Sequence, residues 1–170
     1  MGYECLLTGL PEVGALSMEA LEEQLDESLK DKDKEQLRLL KLRSREGACP
    51  FVLDWLDFTK AVNNALTAEV CRKHGLDPNK YIIGEMPDEI APEVKNVSKE
   101  TDLYQREHLI DALYLAWLDE RTEMITFSLE NVLAYYLKTQ IMNRWNDLTP
   151  EKGEGVFREM VKDMKKGVKL

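Results

Sequence analysis

An all-α fold, about six helices in an irregular bundle behind a short extended N-terminal segment, is predicted by three observations. Good helix formers (Leu, Ala, Glu, Lys, Met, Gln) are plentiful and β-branched residues are scarce. Helix start and stop residues punctuate the chain at helix-length intervals. Between them, apolar residues recur at helical spacing. The 170 residues fit one helical domain over 1–170, long enough to bury a core.

Residues 3–10, "YECLLTGL", are short and apolar, end at Pro11, and are expected to form a strand or extended arm tucked against the body. Ser17 caps a helix running to about Leu29. Asp33 with Gln36 makes a capping-box-like start for a second, "KEQLRLLKLRSR", which ends before Gly47. Pro50 opens a long third helix that contains "DFTKAVNNALTAEVCRKHG" and stops at Gly75, a favourable C′ residue. From about 76 to 99, "LDPNKYIIGEMPDEIAPEVKNVSK" holds Pro78, Pro87, Pro92 and Gly84, so an irregular loop is expected, with "YIIG" as an apolar plug pinned to the core. Ser98 or Thr101 begins a helix to about Glu120, and Thr126 or Ser128 caps another to about Trp145. Thr149 as N-cap and Pro150 at N1 open the last.

Polar residues inside these helices are placed by the turn of roughly 100° per residue. With Trp55 at zero, Phe58, Val62, Ala65 and Leu66 gather on one side. Asn63 falls on the flank, roughly 80° away, and Asn64 on the back, at roughly 180°. The two cannot grip one ligand, and Asn64 is expected in solvent. Glu69 falls at about 320°, inside the apolar stripe. Either the stripe ends a turn early and Glu69 is exposed, or Glu69 is buried and needs a cation. Arg72 is the local candidate. Arg106 is the distant one, because it interrupts the face formed by Leu103, Ile110, Leu113, Tyr114 and Trp117. The helix "SLENVLAYYLKTQIMNRW" carries two apolar stripes, Leu129/Val132/Leu133/Tyr136 and Ala134/Leu137/Ile141/Trp145. It is therefore either central in the bundle or offers a face to a partner.

Composition narrows the function. A net charge of −9 argues against a nucleic-acid footprint and against loose adhesion to an anionic membrane. The lysines of the C-terminal "KDMKKGVKL" are expected to complement a helix dipole. No signal peptide or myristoylation pattern is evident, and no stretch approaches the ~18 apolar residues of a membrane span. Cys5, Cys49 and Cys71 are odd in number and irregularly spaced, which suits reduced thiols in a cytoplasm. Cys71 and His74 form a C-x-x-H without a second ligand pair. His108 lies on a polar helix side near Glu107 and Asp111, and Cys49 precedes Pro50. Phosphate loops and hydrolase or zinc-protease motifs are missing. No catalytic residue, cofactor or metal site is expected.

Three segments, "YECLLTGLP", "DFTKAVNNALTAEVCRKHGLDPNKYIIG" and "RWNDLTPEKGEGVFREMVKDMKK", resemble an uncharacterised bacterial family of domain-of-unknown-function type. Its genes tend to sit among those for V-type ATPase subunits. The resemblance spans nearly the whole chain and is weakest around "GEMPDEIAPEV". It implies a cytoplasmic, non-catalytic accessory, stalk or assembly subunit of a rotary V-type ATPase, peripheral to the membrane through that ATPase. Genes of the family lie near where the helical C/d-type subunit would be expected; at about half the expected length, this chain would be a reduced counterpart of it, an assembly factor, or a protein unrelated to the complex that travels with the operon. ATPase subunits are the implied partners, and homo-oligomerisation stays open. The expected contact residues are Tyr81, Ile82 and Ile83 of the plug with the acidic loop after it, together with Ala134, Leu137, Ile141 and Trp145. The alternative is a small-molecule-binding regulatory helical domain, with Asn63, Glu69 and Arg106 lining a pocket between helices.

Overall fold

The computed structural model of the chain describes residues 2–84, 92–147 and 150–167, without the side chains of 147, 150–152 and 163–167. Among the described residues there are eight α-helices, one 3-10 turn and no strands. The helices are α1 Tyr3–Gly9, α2 Met18–Ser28, α3 Asp31–Leu42, α4 Pro50–His74, α5 Pro92–Lys99, α6 Leu103–Glu123, α7 Leu129–Asp147 and α8 Pro150–Gly167. The all-α class therefore holds, and the count of six is corrected to eight.

Both additional helices fall where an irregular chain was expected. Residues 3–9 are helical because Tyr3, Leu6, Leu7 and Leu10 repeat at i, i+3, i+4 and i+7, a helical stripe. Leu6 is buried in the core with Tyr3, Leu7 and Leu10 against it. In the segment 76–99, Pro92 stands at the first position of α5, where a missing N–H costs nothing. Pro78 likewise opens the 3-10 turn Pro78–Lys80. The prolines thus start helical segments as well as interrupting them.

Most of the expected boundaries hold. Ser17 Oγ accepts from Ala20 N at 3.2 Å. Gly75 closes α4 in the left-handed conformation (φ 66), with the Leu76 amide donating to the Cys71 carbonyl at 2.9 Å. Asp102, one residue past Thr101, caps α6 through Gln105 N at 2.9 Å. At α7, Ser128 Oγ accepts from Asn131 N while Asn131 Oδ1 accepts from Ser128 N, a reciprocal cap. Thr149 lies outside the described residues. Asp33 and Gln36 do not cap α3, which starts at Asp31. Both are buried, and both hold other segments. Tyr3 Oη donates to Asp33 at 2.8 Å. Gln36 donates to the Gly47 carbonyl at 3.0 Å and accepts from the Cys49 amide at 2.6 Å, which clamps the α3–α4 connection.

The main core gathers Leu21 and Leu25 of α2, Phe51, Val52 and Trp55 of α4, Leu118 of α6, and Val132 and Leu133 of α7. An aromatic wall, Trp55, Phe58, Tyr114 and Trp117, joins α4 to α6, and the Phe58 and Trp117 rings stack at 5.1 Å. Helix α7 is central, packed by α1, α2 and α6. At about 1.5 Å per residue, the 25 residues of α4 reach well past this core. Their outer half forms a second, smaller one with α5 around Val62, Ala65 and Val94.

Candidate functional site

The outer half of α4 explains the adjacent asparagines. Beyond Ala61 its buried face turns toward α5, so Asn64, Ala65, Ala68 and Cys71 are buried while Asn63 is exposed. The expectation of a solvated Asn64 is corrected: the residue is 4% exposed. Its amide donates to the Ile83 carbonyl at 2.8 Å and accepts from the Ile83 amide at 3.0 Å. This two-point clamp pins the "YIIG" segment through backbone rather than through apolar burial. Tyr81 and Ile83 remain 55% and 73% exposed, and Ile82 is half-buried. The acidic stretch 85–91 lies outside the described residues.

Glu69 is half-buried. It accepts from Arg72 Nε at 3.2 Å and Nη2 at 2.9 Å. The Arg72 guanidinium is the first cause that holds its carboxyl below the usual carboxylate range, with Lys73 and Lys95 adding to it. The local partner is taken and the distant one is not: Glu69 pairs within its own helix because Arg72 lies one turn away. Arg106 is half-buried and makes no side-chain hydrogen bond or ion pair among the described residues.

The α7 stripe is turned inward. Ala134 and Leu137 are buried, and Ile141 packs against the core, because α1, α2 and α6 cover α7 on several sides. Trp145 is engaged within the chain. Its ring stacks on His108 at 3.6 Å with Tyr104 edge-on at 5.3 Å, and its Nε1 donates to Asp111 at 2.6 Å. Asp111, 5% exposed, also accepts from Arg144, which reaches Glu107 at 3.5 Å. Of the expected contact residues that are described, only Tyr81 and Ile83 are strongly exposed.

Two of the clefts between helices involve the expected site residues. One, of about 730 Å³, includes Arg43, Thr59, Asp111, Tyr114 and Arg144 in its lining. Arg43 caps α3 with φ 55 and donates to Thr59 Oγ1 at 3.2 Å. Burial, then Asp111, raises the Tyr114 hydroxyl there. At its edge Glu22 accepts from Lys41 at 2.6 Å and from Tyr136 at 2.8 Å. Lys41 is the first cause of its lowered pKa. The other cleft, of about 880 Å³, lies between the outer half of α4, the segment 76–81, α5 and α6. Asn63 and Arg106 both line it and Glu69 does not. Among the described residues no group of three or more His, Cys, Asp or Glu side chains could hold a metal ion.

A further apolar surface lies outside the expected contact residues. On α8, Val156, Phe157 and Met160 are 67%, 64% and 54% exposed. Their i, i+1, i+4 spacing marks one helix side, and no other described helix packs extensively along it. No described helix is long and apolar enough to cross a membrane.

Over residues 85–168 the chain is similar to a family described as "Protein of unknown function (DUF2764)", an uncharacterised domain family. That span takes in α5, α6, α7 and α8. No curated protein and no solved structure matches the chain.

Proposed function

We propose that this chain is a non-catalytic accessory, stalk or assembly subunit of a rotary V-type ATPase, a reduced counterpart of its C/d-type subunit, acting through its surfaces rather than through reaction chemistry. The uncovered apolar side of α8 carries the proposal. Exposed large side chains on one side of an amphipathic helix are the usual means of docking against another helix or groove. Four buried polar residues support the same conclusion. Asp33, Gln36, Asn64 and Asp111 are each held by hydrogen bonds that join one segment of the chain to another. They serve as ties between helices. The ATPase as the setting rests on the sequence resemblance described above.

Affinity capture of the tagged chain from its native cytoplasm and membranes, with partners identified by mass spectrometry, tests this. Head or stalk subunits at near-stoichiometric levels are the expected result. Phe157→Asp places a charge in the α8 face and is expected to abolish their recovery while leaving helix content unchanged. Recovery of the chain alone, from an extract in which the ATPase is abundant, would refute the proposal.

A further inference from the structure

The larger cleft combines features that no structural tie accounts for. Leu66, Val70, Leu76, Tyr81 and Ile110 form apolar walls, and Val70, Leu76 and Tyr81 are 47%, 48% and 55% exposed. Arg106 projects among them from α6, half-buried and without a carboxylate partner among the described residues. Lys73 lies in the same lining, donates to the neutral Ser98 carbonyl, and has the Glu69 carboxylate, outside the lining, within electrostatic reach. Among the described residues the lining holds one carboxylate, Glu107, which shares the Arg144 guanidinium with Asp111. The described lining thus holds two cations, Lys73 and Arg106, against one carboxylate, in a chain whose net charge is −9. A partly desolvated guanidinium is stabilised most by an oxyanion that matches its planar fork. The volume of about 880 Å³ falls in the range of small-molecule sites, which are mainly apolar with a few polar anchors.

We propose that this cleft binds a single-chain amphiphile with an oxyanion head, a carboxylate or a phosphate monoester. Arg106 takes the head with Lys73 beside it, and Leu66, Val70 and Ile110 cover the aliphatic body. This site is distant in role from the α8 face and stands whether or not the chain meets an ATPase.

Calorimetric titration of the full chain with sodium octanoate, octyl phosphate and uncharged 1-octanol tests it. At least one anionic amphiphile is expected to saturate a single site, and 1-octanol to bind about tenfold or more weakly. Which anion binds more tightly identifies the head. Arg106→Gln is expected to weaken the anion about tenfold or more, whereas Arg121→Gln, at an ion pair with Asp54 outside the cleft, leaves it unchanged. Amide shifts in the 15N-labelled unsubstituted chain give a readout independent of any variant's folding. Octanoate or octyl phosphate is expected to move Val70, Tyr81 and Ile110. Absence of saturable binding for both anions, equal binding of 1-octanol, insensitivity to Arg106→Gln, or shifts confined to other regions would each overturn the proposal.

Discussion

Asn64→Leu isolates what one buried amide contributes. Asn64 exchanges two hydrogen bonds with the Ile83 backbone, each worth about 1 kcal/mol net. Ile83 is 73% exposed, so water can hydrate the freed N–H and C=O, and the full desolvation penalty does not apply. Leucine at a site only 4% exposed recovers part of the loss by apolar burial. The expected destabilisation is therefore about 1–2 kcal/mol, which in a chain of this size lowers Tm by about 2–8 °C. The sharper readout is local. The Ile83 amide has Asn64 as its protecting partner, so hydrogen exchange there should accelerate strongly in Asn64→Leu, while amides in the core half of α4 around Val52 and Trp55 exchange as before. Urea unfolding supplies the global term and residue-resolved exchange the local one. Unchanged exchange at Ile83 would refute the clamp, and a loss well above about 3 kcal/mol would mean that Asn64 supports more than this segment.

Three further outcomes are expected. Gly14→Ala should destabilise by more than about 1 kcal/mol, because φ there is +83 and a Cβ would stand 2.7 Å from that of Met142; thermal unfolding checks it. Phe51→Ala, at a fully buried side chain, should cost about 3–5 kcal/mol in chemical denaturation. Stability should hold above the ordinary glutamate value of 4.5 and fall as the pH drops below it. Glu22 is held lower in the fold, first by Lys41 and also by Tyr136, so acid removes a contribution present only when it is charged. Glu22→Gln should flatten that slope in pH-dependent melting.

The helical class and most termini were legible because capping is local. Ser17, Pro50, Gly75 and Pro150 act on their own turns, whatever packs above them. Asp33 and Gln36 show the limit of that logic. The spacing of a capping box is also the spacing of one helix side, and here that side faces α1 and the α3–α4 connection. Asn64 escaped for a related reason: a single helical wheel assumes one buried direction, whereas α4 serves two cores and its buried side rotates between them. Glu69 was legible to the extent that its partner lay one turn away. The Asp111–Arg144–Trp145 group joins α6 to α7 and leaves no signal in either helix alone. The α8 face was visible in the spacing of Val156, Phe157 and Met160, but only the packing of the rest of the chain leaves it uncovered.

Quantifying this chain in V-type ATPase purified from native membranes tests the functional proposal most directly, with unsubstituted and Phe157→Asp cells compared in parallel. The account predicts a fixed whole-number ratio to the ATPase, in the intact complex or in an assembly intermediate, that collapses in Phe157→Asp. Absence of the chain from every ATPase fraction, or full retention of the Phe157→Asp form, would contradict it.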